Sequence, residues 1–244
     1  MTHIGSLAEW ADLLDSQVPD ILNLIIETWE EMPPPAANAK EDPVSEALCR
    51  MLRQSRNRCD LPFRIDSQMA ELDPAAGEDQ GRMDIVFSPP VPRENIYFCL
   101  ECKRINVRHA DGVRPYFVEY VRFGMLRFVR GQYSSVVRHG GMLAFVLNGD
   151  VPAAMTGVED NIKALHRELG MDPPGVLQPS SVMPTDTRVR ETIHRRLHSA
   201  ASIMIHHLFM AGDPGASLLP ESESVAWTSG KATSLKSTRQ KARK

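Results

Sequence analysis

Apolar positions recur at helical intervals over residues 6–32. Leu7, Trp10, Leu13 and Leu14 form one run; after Pro19 come Ile21, Leu22, Ile25 and Trp29. Ser6 and Glu9 stand at capping-box spacing ahead of the first run. PPPAANAKEDP (33–43) reads as a linker, and Asp42–Pro43 offers an N-cap and a first-turn proline for a helix to about Ser55. On that helix Ala47, Leu48, Met51 and Leu52 face inward. The period then changes. FRID (63–66) is a short strand candidate, and GRMDIVF (81–87) alternates, with Met83, Ile85 and Phe87 on one face and Asp84 and Val86 on the other. IYFCL (96–100) is a continuous apolar run, as expected of a strand covered on both faces, and the strand continues to 104. Residues 114–138 read as helix broken at Gly131, and 141–150 as a buried strand closed by a turn. Helices around 158–169 and 186–198 precede a last strand, 202–210.

This order predicts an α/β sandwich on a mixed central β-sheet flanked by helices. It divides into an N-terminal helical extension and linker (1–40), an α/β core (41–212) and a tail (213–244). Residues 230–244 hold six Lys/Arg and no acid, the composition of a disordered basic tail. The extension is too short to fold alone. Trp10, Trp29 and several isoleucines need cover, from the core or from a homodimer or partner interface.

Composition changes this picture little. The 244 residues are 42% hydrophobic and 24% charged with a net charge of −3, so nucleic-acid binding has to come from local clusters. No apolar stretch reaches membrane-spanning length and no leader pattern opens the chain, so no membrane and a cytoplasmic location are expected. Cys99 and Cys102 form a C-x-x-C, but residues three apart on a strand point to opposite faces. With Cys49 and Cys59 they read as small buried hydrophobes.

Charge inside two apolar strands is the informative feature. Asp84 interrupts one, and Glu101 and Lys103 stand two apart on one face of the next. If the strands pair as a hairpin, two carboxylates share one lysine. Unpaired buried charge is costly, so the patch is either a satisfied ion cluster or a site for a cation with oxygen ligands. Asp84, then seventeen residues on Glu101-x-Lys103, both on strands and preceded by a helix bearing Glu46, resembles the PD-(D/E)xK nuclease superfamily. Met83 stands where that motif has proline. The resemblance, carried by element order over roughly residues 42–210, implies a restriction-endonuclease-like core and metal-dependent phosphodiester hydrolysis. It implies that Asp84, Glu101 and the Cys102 carbonyl bind Mg²⁺ or Mn²⁺ and that Lys103 holds or activates water. Glu46 would complete the acidic cluster; its spacing to Arg50 is equally that of an ordinary surface pair. The substrate would be nucleic acid, DNA ahead of RNA. The alternatives are a catalytically inactive nucleic-acid-binding or scaffolding version of the fold, and an accidental motif.

Between Lys103 and His139 eight Lys/Arg face only Asp111 and Glu119. Arg122, Arg127, Arg130 and Arg138 share half a helical wheel, which a solvated amphipathic face explains; the concentration of arginine also makes Arg104, Arg122, Arg127 and Arg130 candidate nucleic-acid contacts, and the resemblance implies that Gln132 and Tyr133, after Gly131, approach the substrate. His194 and His198 stand one helical turn apart, but Arg195 replaces the glutamate a zinc hydrolase needs there. His206 and His207 read as structural.

Overall fold

The computed structural model describes residues 6–71, 80–90, 96–133, 137–196, 199, 201–213 and 215. Almost all of the basic tail lies outside these residues. Helices α1 (Leu7–Ser16) and α2 (Val18–Glu31) start as their sequence dictates, with a reciprocal Ser6–Glu9 capping box and a proline in the first turn of α2. Helix α3 (Glu41–Ser55) begins one residue before the expected cap: Lys40 occupies the N-cap and both Glu41 and Asp42 lie in the first turn.

The strands are β1 (Arg64–Ala70), β2 (Arg82–Ser88), β3 (Phe98–Ile105), the small hairpin β4 (Val107–His109) and β5 (Gly112–Arg114), β6 (His139–Val146), β7 (Gln178–Pro179), β8 (Val189–Arg195) and β9 (Ser202–Ala211). Seven of them form one mixed sheet in the order β1-β2-β3-β6-β9-β8-β7. β3, β6 and β9 run parallel in the centre, and antiparallel pairs flank them. The crossover from β3 to β6 is a helical run, α4 (Phe117–Tyr120), a π-helical turn (Val121–Met125) and α5 (Leu126–Arg130), which ends at Gly131 as expected. Helix α6 (Val151–Leu165) follows β6.

Two apolar layers sandwich the sheet. One packs α2 and α3 against Ile85, Phe87, Phe98, Leu100 and Phe145; the other packs α4–α6 against Val86, Cys99, Met142, Ala144 and Phe209. In the first layer the core supplies the cover that the N-terminal helices need. Trp29 stacks on Phe145 with centroids 5.2 Å apart, and its indole N–H donates to the Ala211 carbonyl at 3.2 Å. α2 is therefore part of the core, and its apolar face is covered by the chain's own sheet rather than left for a partner.

Residues 186–198 also depart from expectation: the structure has strand β8 there, not helix. β8 pairs antiparallel with β9 from Val189↔Leu208 to Arg195↔Ser202. Val189, Glu191, Thr192 and His194 are buried while Ile193 faces out, and β-branched Thr192 and Ile193 suit that setting. His194 Nδ1 contacts the Leu169 carbonyl at 2.7 Å, and the Thr192 hydroxyl lies 2.6 Å from His194 Nε2 and 2.8 Å from His207 Nε2. Burial holds His194 near pKa 4 and His206 near 3, and pushes His207 well below its ordinary value. These histidines are neutral core groups. The helical His194/His198 spacing is absent, and His198 lies outside the described residues.

Gly170, just past α6, packs against the end of this strand, its carbonyl accepting the Arg195 N–H at 3.0 Å. Its φ is +62°, and a Cβ there would stand 2.1 Å from the Arg195 carbonyl oxygen, a backbone atom that cannot rotate away. Gly170→Ala is expected to destabilise the fold by about 1–3 kcal/mol, read as a lowered denaturant midpoint at unchanged m-value.

Candidate active site

β2 and β3 pair only over Ile85↔Leu100, Val86↔Cys99 and Phe87↔Phe98. Beyond Leu100 the ladder stops, and carboxylates take backbone donors of β3 instead. Asp84 Oδ2 accepts the Cys102 N–H at 2.7 Å, and Glu41 Oε2 accepts the Arg104 N–H at 3.1 Å. A polar cluster thus forms where the central strand loses its neighbour, which is why charge is tolerated in an apolar strand.

Lys103 is the hub. Its ammonium donates to Glu101 Oε1 at 2.8 Å, to Glu41 Oε1 at 3.0 Å and to the Cys102 carbonyl at 2.8 Å, which uses all three of its N–H groups. Glu101, fully buried, also accepts from Arg127 at 2.8 Å through Oε1 and from the Tyr133 hydroxyl through Oε2. Burial alone would lower the pKa of Lys103, but Glu101, Glu41 and Asp84 together raise it above its ordinary value, so the ammonium stays charged. Burial, reinforced by the Glu101 charge, lifts Asp84 to about 7. Gly124, in the π-helical turn, lets this helix approach: a Cβ there would meet the end of the Met142 side chain at 2.4 Å and lie 3.7 Å from the Lys103 stem.

The cluster holds three carboxylates (Asp84, Glu101, Glu41) and two cations (Lys103, Arg127), one negative charge in surplus when Asp84 is ionised. Asp84 Oδ1 has no hydrogen-bond partner among the described residues. Hard oxygen donors with surplus negative charge fit a Mg²⁺-like cation, which takes one or two carboxylates and fills its remaining positions with water and substrate oxygens. No group of three or more metal-ligating side chains is already convergent among the described residues. Both Glu101 oxygens already accept donors, Oε1 from Lys103 and Arg127 and Oε2 from Tyr133, so Glu101 would reach a cation only by giving up or sharing one of them.

The other expected site residues divide. Glu46 is exposed and joins none of these contacts; Glu41, five residues earlier and in the first turn of α3, is the helical carboxylate at the cluster. Tyr133, expected at the substrate, is 2% exposed and occupied by Glu101. Arg127 is bound to Glu101, and Arg122 faces Glu168 at 3.7 Å. Arg104 stacks 5.5 Å above the Tyr116 ring and donates to the Ala39 carbonyl. Arg138 is spent on Asp12 and Asp15 of α1. Arg130 is exposed, and Gln132 is half-buried. Much of the basic excess after Lys103 is therefore internally neutralised.

An open cleft of about 450 Å³ adjoins the cluster through Lys103 and Glu41. Lys40, Arg104, Tyr116 and Phe123 line it as well. Among the described residues no helix is long and apolar enough to cross a membrane. In comparisons with protein-family models, curated proteins and solved structures, nothing matches this chain significantly.

Proposed function

We propose that the chain is a divalent-metal-dependent nuclease hydrolysing phosphodiester bonds in DNA, on a restriction-endonuclease-like core. The observation that carries this reading is the placement of Asp84, Glu101 and Lys103 where β2 and β3 part, with three carboxylates against two cations beside an open cleft. Asp84 and Glu101, with the Cys102 carbonyl, would hold Mg²⁺ or Mn²⁺. Such a cation, when bound, supplies charge neutralisation at phosphoryl oxygens and a more acidic water. Lys103, held charged by the carboxylates around it, would offer a donor to water or a phosphoryl oxygen once Glu101 or the Cys102 carbonyl turns to the cation and frees one of its three N–H groups. Glu41 fixes the Lys103 side chain.

The test is incubation of plasmid, linear duplex and single-stranded DNA with the protein in Mg²⁺, Mn²⁺ or EDTA, beside Lys103→Ala. Cleavage is expected only with metal, and Lys103→Ala is expected to slow it about a hundredfold or more. Cleavage that survives that substitution at full rate puts the chemistry elsewhere. A second reading, a catalytically silent nucleic-acid-binding subunit, is favoured by the saturation of Glu101, both of whose oxygens already have donors. It predicts DNA binding without cleavage and no Mn²⁺ binding by calorimetry.

A further inference from the structure

The cleft beside Lys103 has a composition that a duplex backbone does not suit. Its charged lining is balanced: Lys40, Lys103 and Arg104 stand against Glu41, Asp42 and Glu119. DNA brings about one negative charge per 1.7 Å of duplex, and a neutral cleft returns nothing for it. The same walls carry two aromatic rings. Tyr116 is held in place, with Arg104 over its face and its hydroxyl 3.4 Å from His109 Nε2. Phe123 is 59% exposed and has no ring partner among the described residues.

Phe123 reaches that position through the π-helical turn Val121–Met125, which changes the phase of the helix between α4 and α5. Val121, Gly124 and Met125 of the turn are buried against the sheet while Phe123 is turned outward into the cleft. A flat, uncharged, polarisable group that stacks on a ring and is flanked by carboxylate acceptors is what these walls fit. About 450 Å³ falls within the size range of small-molecule pockets.

We propose that this cleft binds an unpaired nucleobase, stacked on Phe123, so that the strand presented to the Asp84–Glu101–Lys103 cluster is single-stranded or locally unpaired. This rests on the nuclease reading of the same site. The base sits next to Lys103, so its own phosphate lies beside the candidate metal ligands. A stacked base is sequence-tolerant because every base offers a π-face.

The test is fluorescence anisotropy in EDTA, with a labelled single strand of about twelve nucleotides and with the same sequence as duplex, within the usual range of single-strand site sizes. Wild type is compared with Phe123→Ala, Phe123→Leu and Phe123→Trp. The side chain is exposed, so all four are expected to fold alike, as checked by thermal melting. Wild type is expected to prefer the single strand. Phe123→Ala and Phe123→Leu should weaken that binding about tenfold, Phe123→Trp should keep or strengthen it, and duplex affinity should not move. Unchanged single-strand affinity in Phe123→Ala overturns the inference. So does wild-type affinity in Phe123→Leu, which marks a merely apolar contact, or wild-type protein that binds neither form. If DNA is cleaved but Phe123→Ala binds single strands normally, the stacking inference fails alone. If affinity responds to Phe123 as expected but no metal supports cleavage, the nuclease reading fails alone.

Discussion

Asp84→Asn is expected to abolish metal-dependent cleavage and, in the same protein, to raise thermal stability without metal. The activity loss follows from its role as a ligand. A metal-bound phosphoryl group gains several kcal/mol of charge stabilisation, and each 1.36 kcal/mol is tenfold in rate, so removal of a ligand is expected to cost about a thousandfold. The stability gain follows from the raised pKa. Asp84 titrates near 7 in the folded protein against an ordinary value of 3.8, because burial and the Glu101 charge oppose its ionisation. The folded state therefore holds this proton more tightly than the unfolded state does. The contribution of this group to stability is complete below about pH 4 and is lost as pH rises through about 7. At about pH 8 the wild-type carboxylate is a cost of up to about 4 kcal/mol, which an isosteric amide avoids. The Asn carbonyl can still accept the Cys102 N–H. The melting temperatures of the two proteins should thus coincide near pH 4 and separate toward pH 8, the variant higher. Saturating Mg²⁺ should stabilise only the wild type. A variant that cleaves within tenfold of wild type, or melts lower at pH 8, sinks this account of Asp84.

How much of this was legible in the sequence depends on the range of each interaction. β2 and β3 were readable because alternation at Met83–Phe87 and the unbroken run Ile96–Leu100 are local signals, and the polar intruders stood out against them. Those three residues are the ones the fold brings together. The helical carboxylate was misplaced because Asp42–Pro43 looked like the start of the helix, which made Glu41 part of a linker. Glu41 in fact opens α3 and reaches the end of β3, a contact 62 residues apart that no periodicity encodes. Arg127 is a surface contact on a helical wheel, which shows polarity but not partners, and the resemblance alone puts Tyr133 at the substrate. Their partner, Glu101, is an acid buried beneath the helix. β8 was misread for a related reason. TRVRETIHRRLH carries charge at intervals that satisfy a helix, while its pairing with β9 and the buried Thr192–His207 contact are tertiary.

The double variant Asp84→Asn/Glu101→Gln is expected to be the least stable of its set, although each single change is tolerated. Wild type holds three carboxylates and two cations. Glu101→Gln keeps the shape and an acceptor for the Tyr133 hydroxyl, and leaves Asp84 and Glu41 to balance Lys103 and Arg127. Burial still holds Asp84 up, but the Glu101 charge that adds to it is gone, so Asp84 ionises more readily and can balance part of the positive charge. Asp84→Asn likewise leaves two against two. The double change leaves Glu41 alone with two cations. Lys103 keeps Glu41 at 3.0 Å, so the stranded cation is Arg127, which pairs with Glu101, has Asp84 as its other acidic neighbour and is only 32% exposed. A partly buried charge stripped of its partners costs about 3–5 kcal/mol, while a coupling between neighbouring sites is usually about 0.5–3 kcal/mol. Urea denaturation at neutral pH should therefore show each single variant at or above wild type and the double variant below it by a few kcal/mol. Adding Arg127→Met to the double variant should recover most of the loss, because the stranded guanidinium is then gone. Additive behaviour across the cycle would mean that Asp84 and Glu101 do not share one charge balance, and the cluster would then be two separate ion pairs rather than one site.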